Sequence, residues 1–325
     1  MASERQLINR VSRRFPFKGE GLRIGIGDDA AVLRPGVGAE WVVTTDAFLE
    51  NVHFLSKIHP AKAIGYKALA RATSDIAAMG ARPRYFFLTL GIPDACSGAW
   101  LDDFLVGMGR AARRFGLTLA GGDTTKYPVI LTSLTVLGEI ERGKAVLRSG
   151  ARPGDLLCVS GRLGEAELGW RLMQRKLHTR KGWTSLLKKH LYPEPRLKLG
   201  EWLAARRFAT SMIDTSDGLS TDLAHVCEAS GVGAKVWASK IPAVKIPAEL
   251  ERLRLDPLEL ALHGGEDYEL LFTVPKKLMG RVPGKAGNER IAVIGEITSQ
   301  KGITLVDADG LGNLLLPGGW DPFRK

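Results

Sequence analysis

The sequence predicts an α+β protein of two domains. Three observations carry this reading: a length of 325 residues against the roughly 150 of a typical domain, helical and strand periodicities that alternate irregularly, and a gathering of Gly, Pro and charge at 147–155. The break separates domains 1–147 and 148–325. Hydrophobic residues make up 45% and charged residues 25%, enough to bury two cores, and no apolar run approaches the roughly 20 residues of a membrane span.

The first half opens with a short strand from residue 22, a Gly/Asp loop and a Pro/Gly-rich connection, leading to a second strand, WVVTT, that ends at Asp46. A helix over 62–79 follows, because Ile64, Ala68, Ala72, Ile76 and Met79 recur at spacings of three or four, Gly80 suits a C-cap and Pro83 prevents continuation. RYFFLTLGI at 84–92 reads as a buried strand, 99–115 as a helix, 117–120 as a strand and 129–140 as a strand with period-two stretches. In the second half LLCVS is a strand, about 164–176 a helix, and 196–206 a further helix beyond a basic stretch. SMID is a strand, 218–229 a helix, and 268–274 and 290–297 are strands.

The net charge of +11, from 46 Lys and Arg against 35 Asp and Glu, suggests by itself a nucleic-acid or anionic-membrane partner. Its distribution argues otherwise. Residues 1–23 carry six bases and two acids, and 168–193 carry seven bases and no acid, so the remainder is balanced at 33 of each. Leu172, Leu177, Leu186 and Leu187 make 168–193 a surface helix with Lys and Arg outward, and a binding module in this stretch is the competing, non-enzymatic reading. Cys96, Cys158 and Cys227 are scattered without a CxxC, as in a reduced cytoplasmic protein without a zinc site, and the first residues contain no apolar signal core.

The acids cluster in short motifs. Gly27-Asp28-Asp29, Thr44-Thr45-Asp46, Ser74-Asp75, Gly121-Gly122-Asp123-Thr124-Thr125 and Asp214-Thr215-Ser216-Asp217-Gly218 place aspartates where strands or helices stop. Hard oxygen ligands in this number suit Mg²⁺ held together with substrate phosphates. Each loop also has a purely structural reading as an Asx-turn or helix cap, Asp217 as the N-cap of 218–229 above all. Asp75 fits that reading less well. It stands in the last turn of its helix, where the dipole disfavours a negative charge by roughly 0.3–1 kcal/mol, with Arg71 and Arg82 the nearest bases.

Two phosphate motifs are set aside. Residues 25–30 match G-x-G-x-x-A, but Pro35, Gly36 and Gly38 leave no room for the helix a dinucleotide fold needs; 280–286 falls one spacer residue short of a Walker A motif and reads as a loop. The sequence has no GxSxG, HExxH, HRD or DFG set, and the six histidines form no ligand spacing.

Taken together, GIGDDAAVL (25–33), TTDAFLENVHF (44–54), IGYKALARATSDIAAMGARP (64–83), LAGGDTT (119–125), RSGARPGDLLCVSGRLGEA (148–166), MIDTSDGLSTDL (212–223), HGGEDYELLFTV (263–274) and the terminal PGGWDPF resemble the thiamine-monophosphate kinase family, in order and over most of the chain from 22 to about 321. Several of these motifs are shared with aminoimidazole-ribonucleotide synthetase, selenophosphate synthetase and a hydrogenase-maturation protein, which are the alternative enzymatic readings. The resemblance implies ATP- and Mg²⁺-dependent phosphorylation of thiamine monophosphate by direct transfer. It also implies a homodimer in which the N-terminal sheets form a barrel across the interface, with no nucleic-acid or membrane partner. On matching positions the metal ligands are Asp29, Thr44, Thr45, Asp46, Asp75, Asp123, Asp214 and Asp217, and the ATP contacts Gly122, Asp123, Arg148 and Ser216. Substrate contacts fall on His53, Glu266 and Trp320; Asp46, Asp75, Asp123 and Arg148 carry the catalysis. NVHF stands where the family more often has a glycine before VHF, which leaves His53 in place, and 168–193 is where the likeness is weakest.

Overall fold

The computed structural model describes residues 4–15, 21–24, 31–177, 183–286 and 289–323. Within it the chain divides into two compact units, Met1–Ile76 with Ala81–Gly143, and Ala77–Gly80 with Lys144–Lys325.

Unit 1 contains α1 (Glu4–Arg14), β1 (Leu22–Ile24), β2 (Val32–Leu33), β3 (Ala39–Leu49), most of α2 (Ala61–Ala78), β4 (Arg82–Ile92), α3 (Ala99–Phe115), β5 (Thr118–Lys126) and β6 (Leu131–Glu141). Four strands form a sheet in the order β3-β6-β4-β5, antiparallel except for the β4–β5 pair. The apolar face of α2 buries Ile64, Leu69 and Ile76, that of α3 buries Leu101, Phe104 and Met108, and Tyr66 meets Phe115 edge-on at 5.7 Å. Arg10 of α1 grips Asp102 of α3 at 2.6 and 2.5 Å and the Ser97 carbonyl at 2.6 Å, so part of the N-terminal charge excess serves this packing.

Two strands run further than the sequence suggests. β3 pairs with β6 without interruption from Ala39 opposite Glu141 to Leu49 opposite Leu131, and β5 continues beside β4 to Lys126. Asp46 and Asp123 therefore lie inside strands rather than at strand ends, because cross-strand pairing outweighs the Thr/Gly/Asp composition of those segments.

Unit 2 contains β7 (Asp155–Ser160), α4 (Glu165–Gln174), α5 (Thr184–Leu191), α6 (Leu197–Ala205), β8 (Ser211–Asp214), α7 (Leu219–Ser230), β9 (Gly233–Trp237), α8 (Pro257–His263), β10 (Leu270–Pro275), β11 (Lys285–Ala286), β12 (Glu289–Thr298), β13 (Gly302–Val306) and β14 (Gly312–Leu314). Its sheet has the order β14-β13-β9-β12-β7-β10-β8, with β11 beside β12, over a core that includes Leu157, Val159, Ile213, Leu223, Val226 and Ile294. In the β8–β10 ladder Leu270 lies opposite Asp214, so the segment before β10 emerges beside the loop that follows β8.

The basic stretch is not one outward-facing helix. It spans parts of two, α4 and α5, with Leu172 and Leu187 buried, and Lys189 turns inward to Glu269; residues 178–182 lie outside the described structure. The segment 280–286, expected to be a loop, ends a 3₁₀ turn (Lys276–Arg281) and supplies β11.

Candidate active site

The unit 1 residues are held by regular elements. Thr44 and Asp46, two apart on β3, share the face toward α2. The Thr44 hydroxyl donates to Asp75 Oδ2 at 2.5 Å, and Arg71 reaches both Asp46 oxygens at 3.2 Å while its guanidinium lies 5.1 Å from the Phe48 ring centre. Arg71, one of the two bases nearest Asp75 in the sequence, thus pairs with Asp46. Thr45 points to the other face, where its hydroxyl accepts from Thr135 at 3.2 Å. At the end of β3, His53 closes a turn: its Nδ1 accepts the Leu49 N–H at 3.0 Å, which leaves the proton of the neutral ring on Nε2.

Register separates Asp123 from this group. Asp46 shares a row with Leu134, Leu88 and Gly122, whereas Asp123 shares the next row with Thr89, Ser133 and Ala47 and so faces the opposite side of the sheet. Three strand spacings also intervene, about 14 Å. Gly122 is required here by close approach, since a Cβ would collide with the Leu88 carbonyl oxygen.

In unit 2, three loops meet through their backbones. Glu266 N–H donates to the Ser216 carbonyl at 2.8 Å, Tyr268 N–H to that of Thr215 at 2.9 Å, and Trp320 N–H to that of Asp217 at 2.8 Å. A Cβ at Gly319 would strike the Asp217 carbonyl, so PGGW seats on this loop only with glycine there; the Gly319 N–H also donates to Thr221 Oγ1 at 3.1 Å. Ser216, Asp217, Glu266 and Trp320, named from distant parts of the sequence, are brought together, and Trp320 remains 49% exposed. Arg148 is exposed beside β8: Met212 N–H donates to the Leu147 carbonyl at 2.9 Å, and Ser230 Oγ to that of Arg148 at 3.2 Å.

Asp217 does not cap α7. Gly218 occupies the N-cap position without a side-chain cap, and Asp222 in the first turn folds back to accept the Asp217 and Gly218 N–H groups at 3.2 and 3.0 Å. Burial pushes the Asp222 carboxyl well above the usual range, and the charges of Asp214 and Asp217 push it further. Negative potential has accumulated at this loop, the chemistry a divalent cation relieves, and the proposed ligands are carboxylate and hydroxyl oxygens of the kind Mg²⁺ prefers. The donor types fit, although no group of three or more His, Cys, Asp or Glu able to hold a metal forms among the described residues. Asp29 lies outside them.

Loop 264–269 rests on two buried carboxylates that sequence reasoning missed. Asp267 accepts the Gly164 and Ala166 N–H groups at the start of α4, at 2.5 and 2.9 Å, and burial raises its pKa to about 7. Glu269 takes the Ser160 hydroxyl at 2.5 Å and ion pairs from Lys189 and Arg196. Burial alone raises its carboxyl, but the two cations outweigh this and bring its pKa to about 2. Between and beside these anchors Glu266 and Tyr268 adopt left-handed backbone, φ 70° and 50°, a strain of about 1–3 kcal/mol each that fixed surroundings must sustain. The Glu-Asp-Tyr-Glu run was the available signal, yet its inner acids could not be told from outer ones without Lys189 and Arg196.

Residues 27–140 match the model for the AIR synthase related protein N-terminal domain, and 152–308 that for the C-terminal domain. Thiamine-monophosphate kinase of Escherichia coli K12 is 38% identical over 303 residues, 91% of this chain and 90% of that protein. The crystal structure of thiamine-monophosphate kinase from Stenotrophomonas maltophilia K279a superposes with a TM-score of 0.82 at 37% identity, covering 94% of this chain and 96% of that one. A structure described as AaThiL complexed with AMPPCP and TMP superposes at 0.78 with 30% identity, covering 98% and 96% of the two chains.

Proposed function

This chain belongs to the thiamine-monophosphate kinase family, and we propose that it transfers the γ-phosphoryl group of ATP directly to the phosphate of thiamine monophosphate, giving thiamine diphosphate and ADP. The observation that carries this is 38% identity to the E. coli kinase over nine-tenths of both chains. The structure related at 30% identity, complexed with AMPPCP and TMP, supports the pairing of substrates.

The attacking group is a phosphate oxygen that is already anionic, so transfer needs in-line positioning and charge neutralisation more than a side-chain base. Asp29, Thr44, Thr45, Asp46, Asp75, Asp123, Asp214 and Asp217 would hold Mg²⁺, which when bound offsets the charge of the phosphates. Gly122 lets the nucleotide approach the β5 backbone, Ser216 and Asp123 contact ATP, and Arg148 stabilises charge in transfer. Glu266 and His53 orient thiamine monophosphate, and Trp320 stacks on the cationic ring, worth about 0.5–2 kcal/mol. In this reading residues 1–147 bind ATP and dimerise and 148–325 complete the site. Among the described residues β3 stands at an edge of its sheet and Val43 is exposed, which supports a second copy closing a barrel against this sheet. No helix of the described residues is long and apolar enough to cross a membrane, and we place the enzyme in the cytoplasm.

Incubating the pure protein with Mg-ATP and thiamine monophosphate should yield thiamine diphosphate. Turnover of an aminoimidazole-ribonucleotide precursor or of selenide in its place would assign the chain to a sister activity.

A further inference from the structure

The basic stretch 168–193 takes no part in the reaction as proposed, yet α5 presents two successive side chains to a single loop. Lys189 pairs with Glu269, and His190 Nδ1 stands 3.3 Å from Glu266 Oε2. Successive residues on a helix point about 100° apart, which lets neighbours on α5 reach loop residues three positions apart. His190 is 2% exposed and stacks on the Trp170 ring of α4, centroids 5.7 Å apart and planes at 28°. Its imidazole is held on two sides and cannot follow a moving partner.

Glu266 is different. Its backbone is fixed by the left-handed φ of 70° and by its N–H bond to Ser216, but its side chain is 27% exposed and has three torsions to settle. A substrate that met it unheld would bear the cost of ordering it.

We propose that His190 is a positioning residue for Glu266: it fixes the carboxylate in the orientation that receives thiamine monophosphate, while Lys189 on Glu269 holds α5 against the loop. The proposal rests on Glu266 being a substrate contact, as the proposed function has it. It gives the basic stretch a role inside the enzyme, and it makes that role one of substrate affinity rather than of the transfer step.

The test uses the full-length protein with His190→Ala, His190→Asn, Glu266→Gln and the H190A/E266Q double variant. His190→Ala should raise KM for thiamine monophosphate about tenfold and leave KM for ATP nearly unchanged; removing a buried, stacked ring also lowers the thermal midpoint, so both KM values are read well below it. His190→Asn, whose amide nitrogen falls near the place of Nδ1, should recover most of the loss, and His190→Ala should add little to Glu266→Gln. Equal changes in both KM values, failure of Asn to rescue, or full additivity would overturn the proposal. A substrate-free readout separates it from the function on which it rests: amide hydrogen exchange across 264–268 should rise in His190→Ala relative to α7. Unchanged exchange overturns the positioning role, whereas a wild-type protein that fails to turn over thiamine monophosphate overturns the proposed activity instead.

Discussion

The two units display their candidate residues in opposite ways. In unit 1 Asp46 and Asp75 stand on a strand and a helix, half exposed, with Arg71 and Thr44 as polar partners. In unit 2 Ser216, Asp217, Glu266 and Trp320 stand on loops, and behind those loops lie the fully buried Asp267 and Glu269 with their own hydrogen bonds and cations. A regular element fixes its side chains through its backbone ladder, so the acids on it keep their place without charge buried beneath them. A loop with left-handed non-glycine residues needs charge buried beneath it to hold one shape.

Substitutions can break that contrast. The largest effect should come from Asp46→Asn and Asp123→Asn, which keep shape and remove charge: turnover should fall about 10³-fold, with thermal midpoints nearly unchanged. Loss of folding in these variants would make the acids structural.

In unit 2 the order should reverse, with stability affected first. Glu269→Gln leaves Lys189 and Arg196 buried without their counter-charge and should cost about 3–5 kcal/mol in urea unfolding. The pH dependence has a definite sign. Because Glu269 titrates near 2 when folded and near 4.5 when not, its contribution is present above 4.5 and is lost as pH falls toward 2; the variant should be flatter over that range. Asp267 acts oppositely. Raised to about 7 by burial, it favours the folded state when protonated, so its contribution declines as pH rises from about 4 to about 7.

Smaller effects are expected at the exposed residues. Trp320→Ala should raise KM for thiamine monophosphate two- to thirtyfold, from the loss of about 0.5–2 kcal/mol of stacking, and Trp320→Phe should recover most of it. Smallest of all, Arg175→Gln with Lys176→Gln, both exposed on the basic stretch, should change stability by less than about 0.5 kcal/mol and leave kinetics unaltered. Salt-sensitive binding of RNA or anionic vesicles that disappears in this pair would restore the binding-module reading.

Legibility in the sequence followed the range of the interaction. Helix α2 was readable at 62–79 against the observed Ala61–Ala78, and α3 at 99–115, because apolar spacing and capping glycines are local. Elements whose apolar faces are short escaped notice: α1, α8, β9, β13 and β14. The candidate acids were legible as types in Gly-rich contexts, but the facing of Asp123 depends on a register shared by four strands. Asp222, Asp267, Glu269, Lys189 and His190 were missed for a related reason: Lys189 lies 80 positions from Glu269, and nothing local distinguishes an inward lysine from the outward ones beside it.

The proposed reaction is direct transfer between two phosphates, with no covalent step on the protein. A rapid-quench single turnover with γ-³²P-labelled ATP, Mg²⁺ and thiamine monophosphate follows the phosphoryl group itself. The label should pass from ATP into thiamine diphosphate at one rate, with none on the protein at any time. Label trapped on the chain, or released only as inorganic phosphate, would contradict it.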